Sequence, residues 1–293
     1  MSNALRNRKS GETHRMSKYL YALLLLGVLA GCQTSQISIP DMSSPIYAGA
    51  IIPIERPIQL TASPLNRNVK FSMDTIESII GTNSSSNRIQ IEGLVESYRL
   101  GPNIQVRYTM ERIGTGGSLK TVPPLIVQAT LDKAARIETA EFGGPLLDYI
   151  DKSELGEMRK NFASTIKFIY ANTTVRPLVQ GDVVQSLKIL DMLRDTGINL
   201  PVGVISSGPG LAAKLIGRTV YDGRSAFLLA IEGSETISGY GDGFISMSIT
   251  GYGIIDETTG LYSATKTLTH VTGRSYDGND LQMQQLDNTS LRF

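Results

Sequence analysis

Tryptophan is absent from the 293 residues, cysteine occurs once and histidine twice. Each shortage removes a class of chemistry. One cysteine cannot close an intramolecular disulfide, and a zinc site built without a cysteine pair needs several histidines. Only His270 lies beyond the first 31 residues. No Gly-x-Ser-x-Gly elbow is present, and Ser206-Ser207-Gly208-Pro209-Gly210 has the wrong form for one. A serine hydrolase also needs a base beside its nucleophile, so His270 is expected to be an ordinary strand histidine. An excess of either charge is missing too, with 28 Lys and Arg against 27 Asp and Glu. Such a balance offers no nucleic-acid surface. The apolar run Leu20–Leu29 reaches about half of the ~20 residues that a transmembrane helix needs.

What is present at the N-terminus has three parts. Arg6, Arg8, Lys9, Arg15 and Lys18 come first, the apolar run second, and small residues then lead to the cysteine as Leu29-Ala30-Gly31-Cys32. Basic, apolar, then small is the order of a secretory signal peptide. Met16 also precedes a compact signal, so both Met1 and Met16 stand as starts.

Leu29-Ala30-Gly31-Cys32 resembles the lipobox of bacterial lipoproteins. The resemblance implies a diacylglyceryl group on the Cys32 thiol, cleavage of the Gly31–Cys32 bond by a lipoprotein signal peptidase, and acylation of the new amine. Only cysteine offers the thiolate that this alkylation uses. Two or three acyl chains make a stable anchor, because each buried methylene contributes roughly 0.8 kcal/mol. No other cofactor and no metal is expected. In enteric members of the family an aspartate after the cysteine retains the protein at the inner membrane; Gln33 stands there instead and points to the outer membrane, facing the periplasm. Without residues 1–31 the chain keeps 28 − 5 = 23 basic and 27 − 1 = 26 acidic side chains, a net charge of −3.

Residues 32–66 hold Pro40, Pro45, Pro53, Pro57 and Pro64, which predicts a lipidated tether or an extended arm. The apolar Ala48-Gly49-Ala50-Ile51-Ile52 is the part that could dock on the body. A body over 67–273 follows. Alternation of apolar and polar residues predicts strands near 67–73, 88–99, 103–113, 123–131 and 135–141, and again near 212–221, 224–233, 243–256 and 261–273. Between these groups Leu147, Ile150, Leu155, Met158, Phe162, Ile166 and Ile169 recur at helical spacing and predict one long helix over 146–170. A short second helix competes with extended chain over 183–196. Ser206–Gly210 reads as a loop, and 274–293 as a polar C-terminal tail. The segments 131–140 and 255–264 look alike, as a duplicated unit would or as convergent strand-turn-strand chemistry would.

Other motifs carry turn chemistry rather than sites. Gly114-Thr115-Gly116-Gly117-Ser118-Leu119-Lys120 has Leu119 where a phosphate loop needs glycine, so a hairpin is expected. Gly239-Tyr240-Gly241-Asp242-Gly243, even with Asp256 and Glu257, supplies too few oxygens for calcium. The pairs Asp148/Asp151 and Glu154/Glu157 suit the first turn of the expected helix. Asn83, Asn172 and Asn288 match glycan acceptors that a bacterial lipoprotein does not use.

The fold class expected from this pattern is α+β: a curved antiparallel sheet, as two related halves or as one array, packed on one long central helix. That architecture resembles the half-barrel of the bacterial carriers and receptors that ferry lipoproteins to the outer membrane, over roughly residues 67–273. Together these readings predict a membrane-anchored, non-catalytic envelope lipoprotein that binds an apolar ligand or a partner protein. The alternatives are a structural accessory of a secretion or surface-polysaccharide complex, and an enzyme on an envelope substrate. No catalytic residue is nominated.

Overall fold

A computed structural model describes residues 47–61, 63–65, 67–80, 85–132, 137–149, 177–191, 203–240, 243–274 and 280–293. Strands make up 77% of it and helical turns 4%, with no helix of seven residues or more, so the fold is antiparallel β and the expected α+β class is overturned. The expected long central helix is absent from the described residues. Of its residues only those up to Tyr149 are described, and Pro145–Tyr149 forms a short 3-10 turn. The remainder of that segment lies outside the described residues.

The chain order is β1 Ala48–Ile52, β2 Val69–Ile80, β3 Ser85–Leu100, β4 Asn103–Thr115, β5 Ser118–Leu131, β6 Ile137–Gly143, β7 Val183–Leu187, β8 Ile205–Tyr221, β9 Arg224–Tyr240, β10 Gly243–Asp256, β11 Tyr262–Arg274 and β12 Asp280–Arg292. In space they run β1-β8-β9-β10-β11-β12-β2-β3-β4-β5-β6, with β7 also on β8. Two five-stranded meanders, β2–β6 and β8–β12, therefore share one sheet, and β12 against β2 is the seam.

Local chemistry sets the hairpins. Gly116-Gly117 and Asp222-Gly223 have positive φ at both positions, the twist that matches two-residue hairpins. The connections after β3, β4 and β5 are two, two and five residues long, and those after β8, β9 and β10 repeat the series. Two-residue turns are the commonest hairpin connections, so the repetition fits a duplicated unit and convergent turn chemistry alike.

Side-chain alternation gives the sheet two unlike faces. On the inner face of β2–β6, Val69, Phe71, Ile91, Val95, Val106, Val127 and Leu131 form one core. Leu215, Phe227, Leu229, Ile231 and Ile255 continue it on β8–β10. The outer face is laced by cross-strand ion pairs: Arg88 to Asp74 at 2.8 and 2.6 Å, Arg112 to Glu92 at 2.6 Å, Arg107 to Glu96 at 3.4 Å, and Lys214 to Glu232. Such half-exposed pairs keep this face wet more than they stabilise it.

Several segments take roles that the sequence left open or read differently. The arm is docked rather than free: β1 pairs with β8, Ile58 exchanges backbone hydrogen bonds with Leu178, and Ile58, Leu60 and Leu65 are buried on the inner face. Residues 183–187 are a strand, and helix begins only at 189–191. Ser206–Gly210 belongs to β8, where a bulge between Ser207 and Gly210 takes up Gly208 and Pro209. The residues after 280 are no tail but β12.

The second meander also coils on itself. Tyr221, at the end of β8, is hydrogen-bonded to Ser290 of β12. Asp222 accepts from the Phe293 amide at 3.0 Å, and the Arg224 guanidinium stacks 4.2 Å from the Phe293 ring. Under this closure Ala226, Leu228, Ile254 and Ala264 form a small core on the outer face, so Leu228 and Leu229 are both fully buried though they point opposite ways.

Candidate functional site

Two features stand out from this framework, one inside the sheet and one at its edge. The first is the seam. Register places Thr75 and Thr267 on either side of Asp287, and Glu77 and Thr269 on either side of Gln285, all on the inner face. Thr75 donates to Asp287 Oδ1 at 2.7 Å and Gln285 Nε2 donates to Oδ2 at 2.8 Å. Burial pushes the Asp287 carboxyl above its ordinary range, and these two hydrogen bonds only partly oppose it. Glu77 is also raised, first by burial and then by the neighbouring Asp287. The inner face is thus apolar at its ends and acidic and hydroxyl-rich in the middle. Both Asp287 oxygens are engaged, which leaves them poorly placed to take a proton from a substrate.

A third inward carboxylate has a structural task. Glu235 is 1% exposed, and it accepts from the amides of Ile189 at 2.6 Å and Leu190 at 3.3 Å. It thereby satisfies the free N–H groups where the 189–191 turn begins.

The edge is the second feature. β8 has β9 on one side; its other side carries β1 at residues 218–220 and β7 at 211–214. β1 ends the array, so among the described residues its outer backbone edge has no strand partner. Ile51, Ile52, Val179, Val183 and Val220 are exposed along this side. At the other end of the array β6 carries exposed Glu138 and Glu141, the charges that ordinarily guard a free edge.

No family model matches the chain, and no curated protein does.

The residues singled out in the sequence fall in scattered places. Gly31 and Cys32 lie outside the described residues, as do Gly241, Asp242, Asp151, Glu154 and Glu157. Asp148 sits alone in the 3-10 turn. His270 is on the outer face of β11 between Ser248 and Gln284, with no metal-ligating neighbour in register. Among the described residues no three His, Cys, Asp or Glu side chains gather as a metal site would need. Asp256 proves to be a turn organiser: buried, it accepts from Thr259 N at 2.7 Å and Thr259 Oγ1 at 2.9 Å, and it pairs with Arg224 at 2.7 and 3.1 Å.

Sequence reasoning missed both features. The seam was hidden because β12 reads as polar: one face of it packs Met283 and Leu291, but Asp287 and Gln285 sit on that same face. The edge did leave a signal, since Met42–Ile54 carries no charged residue.

Proposed function

We propose that the chain is a lipid-anchored envelope protein with no catalytic role, which docks a protein partner along its β1 edge as an accessory of an envelope assembly. The anchor is Cys32, and Gln33 favours the outer membrane with the body in the periplasm. The observation that carries the docking reading is an uncharged, strand-terminated edge flanked by exposed aliphatic side chains, next to a sheet whose other end is guarded by glutamates. Unpaired backbone donors and acceptors on such an edge can accept an added strand. Carriage of an apolar ligand is less well supported. The inner face that would hold it is taken up by Leu65 over β2–β6 and by Ile58, Leu60 and Leu178 over β8–β10, all from the chain itself, and its centre is polar.

Two measurements test the reading separately. Cells fed labelled palmitate should label the parent protein and not Cys32→Ser, which should leave the membrane fraction; equal labelling would remove the anchor. A photo-reactive residue at Ile52 should give a discrete protein adduct in growing cells, whereas one at Thr139 on β6 should not. Equal or absent adducts at the two positions would remove the docking edge.

A further inference from the structure

We propose that the middle of the inner face binds a protonated primary amine on an alkyl stem, held at the seam by Glu77, Thr267 and Thr269. This site is separate from the β1 edge and does not depend on what docks there. Alternation and register put Glu77 of β2, Gln285 and Asp287 of β12, and Thr267 and Thr269 of β11 on one face, in adjoining rungs of the ladder. Two carboxyl groups thus lie close together with no cation to balance them. No Lys or Arg among the described residues occupies an inner-face position of β2, β10, β11 or β12. The outer face differs, since Asp74, Glu92, Glu96 and Glu232 each have a basic partner across the strands. A cation is the component that the seam lacks.

The threonines supply an observation independent of the acids. Thr267 is 7% and Thr269 8% exposed, and among the described residues neither hydroxyl has a hydrogen-bond partner. Hydroxyls this buried are ordinarily paired with something. Register aims both into the acidic strip: Thr267 lies beside Asp287, and Thr269 lies across Gln285 from Glu77. Thr75 and Gln285 already donate to Asp287, which leaves Glu77 as the acid without a donor. Burial and then repulsion by Asp287 raise the Glu77 carboxyl, as befits an acid whose counter-charge is missing. An ammonium group has three donors and no acceptor. It can give one N–H to Glu77 and one to each threonine. A divalent metal fits poorly, because calcium takes roughly six to eight oxygens and magnesium demands near-octahedral geometry. Partly buried Met73 and Ile249 border the strip, so a carbon stem has apolar surface to lie on. Glu77, Gln285 and Asp287 are only half-buried, which leaves the strip open to solvent.

Calorimetric titration of the full-length protein in detergent tests the site, with two probes that carry the amine. One is the linear diamine cadaverine, and the other is a lysine amide blocked at its α-amine. At least one should bind with a dissociation constant below about 1 mM. Pentanediol, which keeps the stem and loses the charge, should not bind, and neither should tetramethylammonium, which keeps the charge and loses every N–H. Glu77→Gln and Thr269→Val should each weaken binding at least about tenfold, as loss of a partner to a charged donor does. Glu96→Gln, on the outer face, should leave it unchanged. Melting curves of the variants against the parent check folding, and the probe series on the unsubstituted protein needs no variant at all. Binding of the blocked lysine, with or without the diamine, supports the site and assigns it a peptide side chain. Binding of the diamine alone supports it and assigns a free alkyl amine. No binding of either probe, equal binding of tetramethylammonium or pentanediol, or binding insensitive to both Glu77→Gln and Thr269→Val overturns the proposal.

Discussion

At the scale of single residues, four carboxyl groups separate into two kinds. Glu235 and Asp256 are held by donors arranged around them: two amides for the first, and an amide, a hydroxyl and a guanidinium for the second. Asp287 has two neutral donors and an acidic neighbour in Glu77, and both groups are raised. The sign of the pH effect follows. A carboxyl whose folded value lies above its unfolded one binds more protons when folded, so stability is greatest at low pH. It falls as pH rises from the unfolded value, about 4, towards the raised folded value. Asp287→Asn, which stays neutral, is expected to flatten this fall; melting temperatures of parent and variant between pH 4 and 7 measure it. Parallel curves would show that Asp287 does not titrate in that window. Asp256→Ala should cost about 2 kcal/mol in urea denaturation, because buried donors lose a charged acceptor.

Strands β3 to β6 and β8 to β11 repeat the same hairpin lengths, and their alternation was legible from sequence, most clearly in β10, expected and found at 243–256. What sequence did not reveal was where strands bend. Gly93 lies at a bulge between β3 and β4, and a Cβ there would meet the Thr109 carbonyl oxygen at 1.9 Å and the Phe71 ring at 2.7 Å. Backbone cannot retreat from such contact without breaking the ladder, so Gly93→Ala is expected to destabilise by about 2 kcal/mol or more. Chemical denaturation checks this against Gly101→Ala, where the turn is open and only the positive φ is strained. The bulge leaves no mark in the alternation that could be told from an ordinary strand glycine.

Across the whole molecule, residues 280–293 join the halves. β12 hydrogen-bonds β11 on one side and β2 on the other, and Phe293 reaches the β8–β9 turn. A stop in place of Asp280 should therefore do far more than trim an end. It opens the seam, exposes the buried Val271 and Ile76, and is expected to abolish cooperative thermal unfolding. A truncated protein that melts like the parent would show that the halves stand alone. The strand order also delays folding, because β2 waits for a partner some 210 residues downstream, and such non-local pairing is slow.

The sequence by itself determined the antiparallel strands, their turns and the basic, apolar and small-residue order of the N-terminus, because side-chain period, turn glycines and residue order are local properties. It also carried the uncharged stretch that becomes β1. Tertiary structure decided the class, the seam and the edge. The helical spacing over 146–170 is a pattern of residue types, and a pattern cannot fix how much of a fold an element occupies. β12 reads as a tail because its polar Asp287 and Gln285 face inward, where Thr75 and Glu77 from the far end of the chain meet them. Whether an apolar strand ends a sheet or sits within one depends on which neighbours arrive, and that is settled only when strands distant in sequence pair.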